Sequence, residues 1–332
     1  MTPMLSVVDL VKHYPAPGGK SVLALDGVSF SLARGEIFGI VGESGCGKST
    51  LARTLMRLAT ASSGRILYEG EDVMAARGRA LKRLRGEIQM VFQDPFGSLN
   101  PRHTIERIIG EPLVVHNRPG RAARVRELLD LIGLPQSAAS RLPHQFSGGQ
   151  RQRIAIARAL ALSPKIIIAD EAVSALDVSI QSQIINLLAQ LRRDLGLAII
   201  FISHDLSVVR HLSDRIGVMY FGRFVEQASA ADLFAAPRHP YTRALISAVP
   251  KLPGAAGGPC GKRIVLSGDV PNLAHRPGGC LFHPRCYIAQ DRCQKDVPPL
   301  AATRPDKPDW LSACHYADEI DGLVAETASE NR

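Results

Sequence analysis

Ile37-Phe38-Gly39-Ile40-Val41-Gly42-Glu43-Ser44-Gly45-Cys46-Gly47-Lys48-Ser49-Thr50 is the stretch whose reading decides the fold. Its first five residues form a short apolar run, which reads as a buried strand. The next eight, Gly42–Ser49, fit G-x-x-x-x-G-K-[ST], a loop whose glycines let the backbone wrap a triphosphate while successive N–H groups point inward. Residues 51–56 read as the start of a helix, whose N-terminal partial charge faces the same anion. Strand, loop and helix in that order are the context the motif requires. Gly42, Ser44, Gly45, Cys46, Gly47, Lys48, Ser49 and Thr50 are therefore expected to hold a nucleoside triphosphate. Lys48 would reach its β- and γ-phosphates, and the Ser49 hydroxyl would ligate Mg²⁺.

The rest of the chain bounds what surrounds that loop. Its 332 residues can hold one large domain, or one large and one small. Hydrophobic residues make up 45%, ample for a globular core, and no apolar run approaches the length of a membrane span. The N-terminus has no basic-then-apolar signal region, so a cytosolic chain is expected, with any membrane connection made through a partner. The formal charge is +9, with basic clusters at 77–85 and 118–126. These read as solvated helix faces. Nucleic-acid binding would need aromatic platforms beside the charge, and aromatics are only 5%, so no nucleic-acid partner is expected.

Up to about residue 240, short apolar runs alternate with helix-like segments, the pattern of an α/β domain with a largely parallel sheet. Ile166-Ile167-Ile168-Ala169 and Ala198-Ile199-Ile200-Phe201-Ile202 are continuous apolar runs, as expected of strands covered on both faces. Between 94 and 160 the pattern turns mainly helical, with candidates at 104–110, 122–132 and 151–162, and suggests an insertion. Pro and Gly dominate 250–262, which reads as a linker before a small loop-rich module.

A second nucleotide element is the strand Ile166–Asp170 followed by Glu171. An apolar strand ending in acids puts carboxylates beside the phosphate loop, where Asp170 can hold the Mg²⁺ shell and Glu171 can polarise an attacking water. About twenty residues earlier stands Phe146-Ser147-Gly148-Gly149-Gln150. Here the sequence strongly resembles the ATP-binding subunits of ABC transporters, whose signature is L-S-G-G-Q. Phe replaces Leu, which leaves the phosphate-contacting Ser and glycines intact. The resemblance covers roughly 4–238. It implies a P-loop NTPase ABC cassette: a parallel-sheet core with an antiparallel β subdomain and a helical insertion. It further implies ATP and Mg²⁺ as ligands and an ATP-sandwich dimer in which Ser147, Gly148, Gly149 and Gln150 serve the other protomer's nucleotide. By the same resemblance Tyr14 stacks on adenine, Gln93 senses Mg²⁺, and Ser174-Ala175-Leu176-Asp177 crosses the dimer interface. His204 is then the switch histidine near the γ-phosphate. The usual Pro-Thr after the catalytic Glu is Ala172-Val173 here; neither side chain is needed for chemistry.

A narrower resemblance follows. Residues 93–102, 175–179 and His239-Pro240-Tyr241-Thr242-Arg243-Ala244-Leu245 are similar to the ATPases of oligopeptide and dipeptide importers, features shared with nickel and glutathione importers. This implies a cassette over 1–238 and a C-terminal extension over 239–332. It also implies a second, related ATPase subunit, two transmembrane permease subunits and an extracytoplasmic solute-binding protein. The chain would then be peripheral, on the cytoplasmic face of the inner membrane. Cys280, Cys286, Cys293 and Cys314, with five, six and twenty residues between successive thiols, lack the C-x-x-C pairs of zinc ribbons. They could ligate an iron–sulfur cluster, as the extension does in some peptide-importer ATPases, or zinc, or remain thiols of a small core. Cys260 has no partner at useful spacing.

Overall fold

The computed structural model describes residues 3–16, 21–174, 176–249, 263–266, 268 and 276–323, so the expected linker, with Cys260, lies outside the described residues, as does Ala175. β1 (Leu5–Pro15) and β2 (Ser21–Leu32) pair antiparallel, with Leu5 opposite Leu32 and Tyr14 opposite Val22. β3 (Ile37–Val41) then runs into the phosphate loop and α1 (Lys48–Leu55). β4 (Ser63–Tyr68) and β5 (Glu71–Asp72) complete a four-stranded antiparallel sheet in the order β2-β1-β4-β5, the expected β subdomain. α2 (Gly78–Glu87) carries the first basic cluster and buries only Leu84, so its charges face solvent.

β6 (Ile88–Val91) enters the second sheet and leads to the helical region. That region contains α3 (Pro95–Ser98), α4 (Ile105–Val115), α5 (Arg121–Leu131) and α6 (Gly148–Leu160). α4 runs five residues beyond the expected 104–110, straight through Pro112, because Ile105, Ile108, Ile109 and Leu113 form one buried stripe that outweighs the lost hydrogen bond. The chain returns through β7 (Ile166–Asp170), α7 (Val178–Leu195), β8 (Ala198–Ser203), α8 (Leu206–Leu212) and β9 (Arg215–Tyr220). β3, β6, β7, β8 and β9 are parallel; β3, β7 and β8 are buried at every residue, which is why they read as unbroken apolar runs. Their C-terminal ends converge where the phosphate loop, Asp170 and His204 emerge, the crevice where open α/β sheets bind ligands.

β10 (Arg223–Ser229), α9 (Ala230–Ala235) and α10 (Pro240–Ser247) close the first 247 residues. Beyond the expected linker, α11 (Asp291–Lys295) precedes β11 (Ala301–Arg304) and β12 (Lys307–Ser312). These two strands are not a free-standing module. β12 pairs antiparallel with β10, giving an eight-stranded sheet in the order β11-β12-β10-β9-β3-β8-β7-β6. Phe282 and Trp310 of the extension belong to the same core cluster as Tyr220 and Tyr241. The expected loop-rich module thus shares the cassette's core: burying two aromatic side chains against an existing core stabilises by about 2–3 kcal/mol each, more than a short loop-rich segment could assemble alone.

Candidate nucleotide site and cysteine cavity

The phosphate loop is bent by glycines that nothing larger could replace. Gly47 precedes α1 with φ of +109°, and a Cβ there would come within 2.5 Å of the Ala24 carbonyl oxygen. α1 begins at Lys48, three residues earlier than the sequence suggested. Its first hydrogen bond runs from the Leu51 amide to the Gly47 carbonyl (2.9 Å), which leaves the first-turn N–H groups for a ligand. Lys48 is buried. Its Nζ donates to the carbonyls of Gly42 (2.8 Å) and Glu43 (2.9 Å), so the ammonium lies across the mouth of the loop.

Three segments from the far ends of neighbouring strands meet it there. The Ser49 hydroxyl donates to Asp170 Oδ1 at 3.1 Å. Burial pushes the Asp170 carboxyl up, the Ser49 hydrogen bond pulls it down, and the result lies above the ordinary carboxylate value. Glu171 Oε1 stands 4.0 Å from Lys48 Nζ, while Oε2 accepts from Gln93 Nε2 at 2.8 Å and lies 3.6 Å from His204 Nδ1. Glu171 adopts φ of +47°, a region rare for a residue with a side chain and one that turns its carboxylate back toward the loop. Lys48, Ser49, Gln93, Asp170, Glu171 and His204, drawn from four segments, thus form one constellation of hydroxyl, carboxylates, ammonium and imidazole. Such a set can bind a triphosphate with its divalent ion and orient a water for attack on the terminal phosphorus.

The remaining expected residues lie around it. Tyr14 is on β1 with the Lys12 ammonium 4.7 Å from its ring centre. Ser147 caps α6: its hydroxyl accepts from the Gln150 amide (3.3 Å) and the Gln150 side chain accepts from the Ser147 amide (3.0 Å). The helix therefore opens at Gly148, two residues before the expected start at Gln150. A Cβ on Gly149 would come within 2.4 Å of Ile180 Cγ2, so this glycine lets α6 and α7 approach. Among the described residues, no hydrogen bond or ion pair joins 147–150 to the phosphate loop. Ser174 donates to the Glu171 carbonyl (3.0 Å), and Leu176 and Asp177 lead into α7.

Cys280, Cys286, Cys293 and Cys314 line one small cavity together with His283 and His315, and all are free thiols. Burial, with the other thiols adding to it, pushes Cys286 and Cys314 up to about 12. The expectation that these four hold a metal is not met by their placement: among the described residues, no three His, Cys, Asp or Glu side chains are set to grip one ion. Sequence spacing brought the thiols to one cavity, but the orientation of each depends on packing that spacing does not encode.

Sequence reasoning gave Glu43, Tyr241 and Arg285 no role at the site. Glu43 occupies a free position of the loop pattern, and its partners stand 198 and 242 residues away, so no local signal marks them. Asp26, Glu226 and Trp310, which tie the extension to the cassette, were likewise unmarked.

Residues 25–174 match the family model described as ABC transporter, and 225–293 match that described as oligopeptide/dipeptide transporter, C-terminal region. The chain is 50% identical to the oligopeptide transport ATP-binding protein AppF of Bacillus subtilis, over 94% of this chain and 97% of that protein. The chain belongs to the ATP-binding subunits of ABC transporters, in the oligopeptide/dipeptide group. A probable peptide ABC transporter ATP-binding protein of Sinorhizobium fredii is 51% identical, over 94% of this chain and 89% of that protein. Among solved structures, the ABC subunit resembles the ADP- and phosphate-bound dimer of the cassette MJ0796, with TM-score 0.62 and 31% identity over 68% of this chain and 99% of that one. CbiO1 of Clostridium perfringens aligns with TM-score 0.63 and 32% identity over 71% of this chain and 92% of that one. As an ABC subunit the chain hydrolyses ATP with Mg²⁺. No helix among its described residues is long and apolar enough to cross a membrane.

Proposed function

We propose that this ABC subunit couples ATP binding and hydrolysis to the uptake of di- and oligopeptides. The observation that carries the reading is the meeting of Lys48, Ser49, Gln93 and the Asp170-Glu171 pair around one loop, joined by contacts of 2.8 to 4.0 Å. The amides of Gly42, Ser44, Gly45, Cys46, Gly47 and Thr50 and the Lys48 ammonium bind the phosphates, and Tyr14 stacks on adenine. Ser49, Gln93 and Asp170 hold Mg²⁺, which neutralises charge on the phosphoryl oxygens. Glu171 orients and deprotonates the attacking water, and His204 steadies Glu171 and the terminal phosphate. Ser147, Gly148, Gly149 and Gln150 close over the nucleotide of a second subunit, with Ser174, Ala175, Leu176 and Asp177 at the seam.

The cassette spans 1–238, with its helical insertion at 94–160, and the extension spans 239–332. The partners are a related ATPase chain, two membrane permeases and, indirectly, a solute-binding protein. In this reading the subunit is peripheral, at the cytoplasmic face of the inner membrane. The names of the relatives support the peptide substrate; nickel or glutathione would use the same machinery. Uptake of labelled dipeptides, nickel and glutathione by cells lacking this chain separates the substrates. Unchanged peptide uptake overturns the peptide reading.

A second reading concerns the cysteine cavity. The shared lining of one cavity by Cys280, Cys286, Cys293 and Cys314 supports a [4Fe–4S] cluster taken up there as a structural crosslink once the thiols turn toward a common ion. Zinc is the alternative. Anaerobically purified protein containing neither iron nor zinc would reject both.

A further inference from the structure

We propose that Arg285, carried by the C-terminal extension, is a positioning residue of the nucleotide site and sets the phosphate loop through Glu43. The proposal rests on the assignment of residues 42–50 to the triphosphate. Glu43 is the second residue of the loop, and each of its polar groups is engaged. Its carbonyl accepts from Lys48 Nζ at 2.9 Å. Its amide donates to the Tyr241 hydroxyl at 2.9 Å. Its carboxylate receives both arms of the Arg285 guanidinium, at 2.8 and 3.1 Å. Two of these three anchors lie beyond residue 238.

Arg285 is itself held in place. It ends a 3₁₀ turn over His283–Arg285, and its amide donates to the Phe282 carbonyl at 3.0 Å. Phe282 is buried, with its ring centre 5.3 Å from that of Tyr220 and 5.4 Å from that of Tyr241. The side chains of Arg285 and Glu43 are only 10% and 23% exposed, so water screens the pair weakly and the two-pronged contact fixes the direction of Glu43. The Glu43 hydrogen bond also raises the Arg285 pKa, keeping the guanidinium charged.

Two consequences reach the ligand. Orienting Glu43 orients the carbonyl that seats the Lys48 ammonium. Neutralising Glu43 removes a negative charge from a loop that must receive a polyanion. Without Arg285 the carboxylate would face the incoming phosphates uncompensated. The extension therefore acts at the nucleotide site without touching the reacting atoms.

The experiment measures equilibrium ATP affinity of the full-length chain, and KM and kcat of the assembled transporter. Arg285→Ala is expected to weaken affinity and raise KM about tenfold, the scale of one charge-assisted contact, while kcat at saturation stays within about twofold. Removing the offending charge should reverse this, so Glu43→Gln combined with Arg285→Ala recovers most of the affinity. A residue that merely stabilised the fold would show no such rescue. Tyr241→Phe, which deletes the acceptor of the Glu43 amide, should shift KM in the same direction. If Arg285→Ala does not fold, Arg285→Lys decides: the point charge without the fork should give an intermediate, salt-sensitive affinity, and wild-type affinity would overturn the proposal. Arg285→Ala with unchanged affinity, or no rescue by Glu43→Gln in folded protein, overturns it equally. Lys48→Ala is the control: if it loses ATP while the Arg285 variants do not, only the positioning role fails. If Lys48→Ala binds normally, the loop assignment fails too.

Discussion

Glu171 meets three other segments at once, through Gln93, His204 and Lys48, and its backbone is held at positive φ to do so. A carboxylate placed this way accepts a proton from water and needs its negative charge to do it. Glu171→Gln keeps the shape and the Gln93 contact but loses that basicity. We expect the variant to bind ATP normally while single-turnover phosphate release falls a hundredfold or more, ~3 kcal/mol at about 1.36 kcal/mol per decade. Near wild-type release would remove Glu171 from the chemistry. Lys48→Ala should fail one step earlier, in ATP binding itself, because the loop loses its side-chain cation. The departures at Phe146, Ala172 and Val173 do not disturb these residues: all three side chains are buried in the core beside the site.

Between elements, two polar knots are among the contacts that join the extension to the cassette. Asp26, in β2, receives Arg223 Nε from β10 at 2.6 Å and Arg276 Nη2 from the extension at 2.8 Å. Burial pushes the Asp26 carboxyl up, but the two guanidiniums outweigh it and hold it below 3.8. A depressed folded pKa means that the unfolded chain binds the proton more readily, so the contribution is present above the unfolded value and is lost as pH falls through the folded one. Asp26→Asn should therefore melt below wild type at pH 7, and the gap should close as pH drops below about 4. A gap independent of pH would dissociate the effect from the charge. The second knot is Glu226, fully buried on β10, which accepts from the Arg238 amide (2.8 Å), the His239 amide (3.0 Å) and Trp310 Nε1 on β12 (3.0 Å). Trp310→Phe keeps an aromatic ring in the core and removes one donor. It should cost about 1–2 kcal/mol in urea unfolding and expose 300–316 to protease. Unaltered stability would mean that the Trp310–Glu226 hydrogen bond adds nothing to the docking of the extension.

At the scale of the whole molecule, two helix starts, those of α1 and α6, stand in different company. The loop before α1 has Asp170 bonded to its Ser49 within the chain, whereas Ser147, Gly148 and Gly149 at the start of α6 have no described bond to it. One triphosphate does not need both from one copy, so the second is expected to serve another subunit. Mixing a Ser147-defective protomer with a Lys48-defective one should then restore at most one working site. ATPase activity should also rise with the concentration of the partner chain. Full activity in a strictly monomeric preparation would defeat the trans arrangement. The nucleotide motifs were readable because each demands particular residue types in a contiguous run: glycines where the backbone must bend, apolar β3, β7 and β8 where both faces are covered, and acids at a strand end. Helix limits were less readable, since the buried stripe of α4 carries the helix across Pro112.

The sequence by itself determined the nucleotide-binding cassette, the order of its motifs and the family-specific extension, because those depend on local backbone demands and on hydrophobic periodicity. Only the tertiary structure decided what the extension does with the cassette. β12 could join β10 only once β10 had an open edge, and Phe282 could join the core only where Tyr220 and Tyr241 left room. Arg285 then reached Glu43 across 242 residues. The physical reason is that such contacts are chosen by which surfaces remain unpaired after the core has formed, and no short window of residues carries that information.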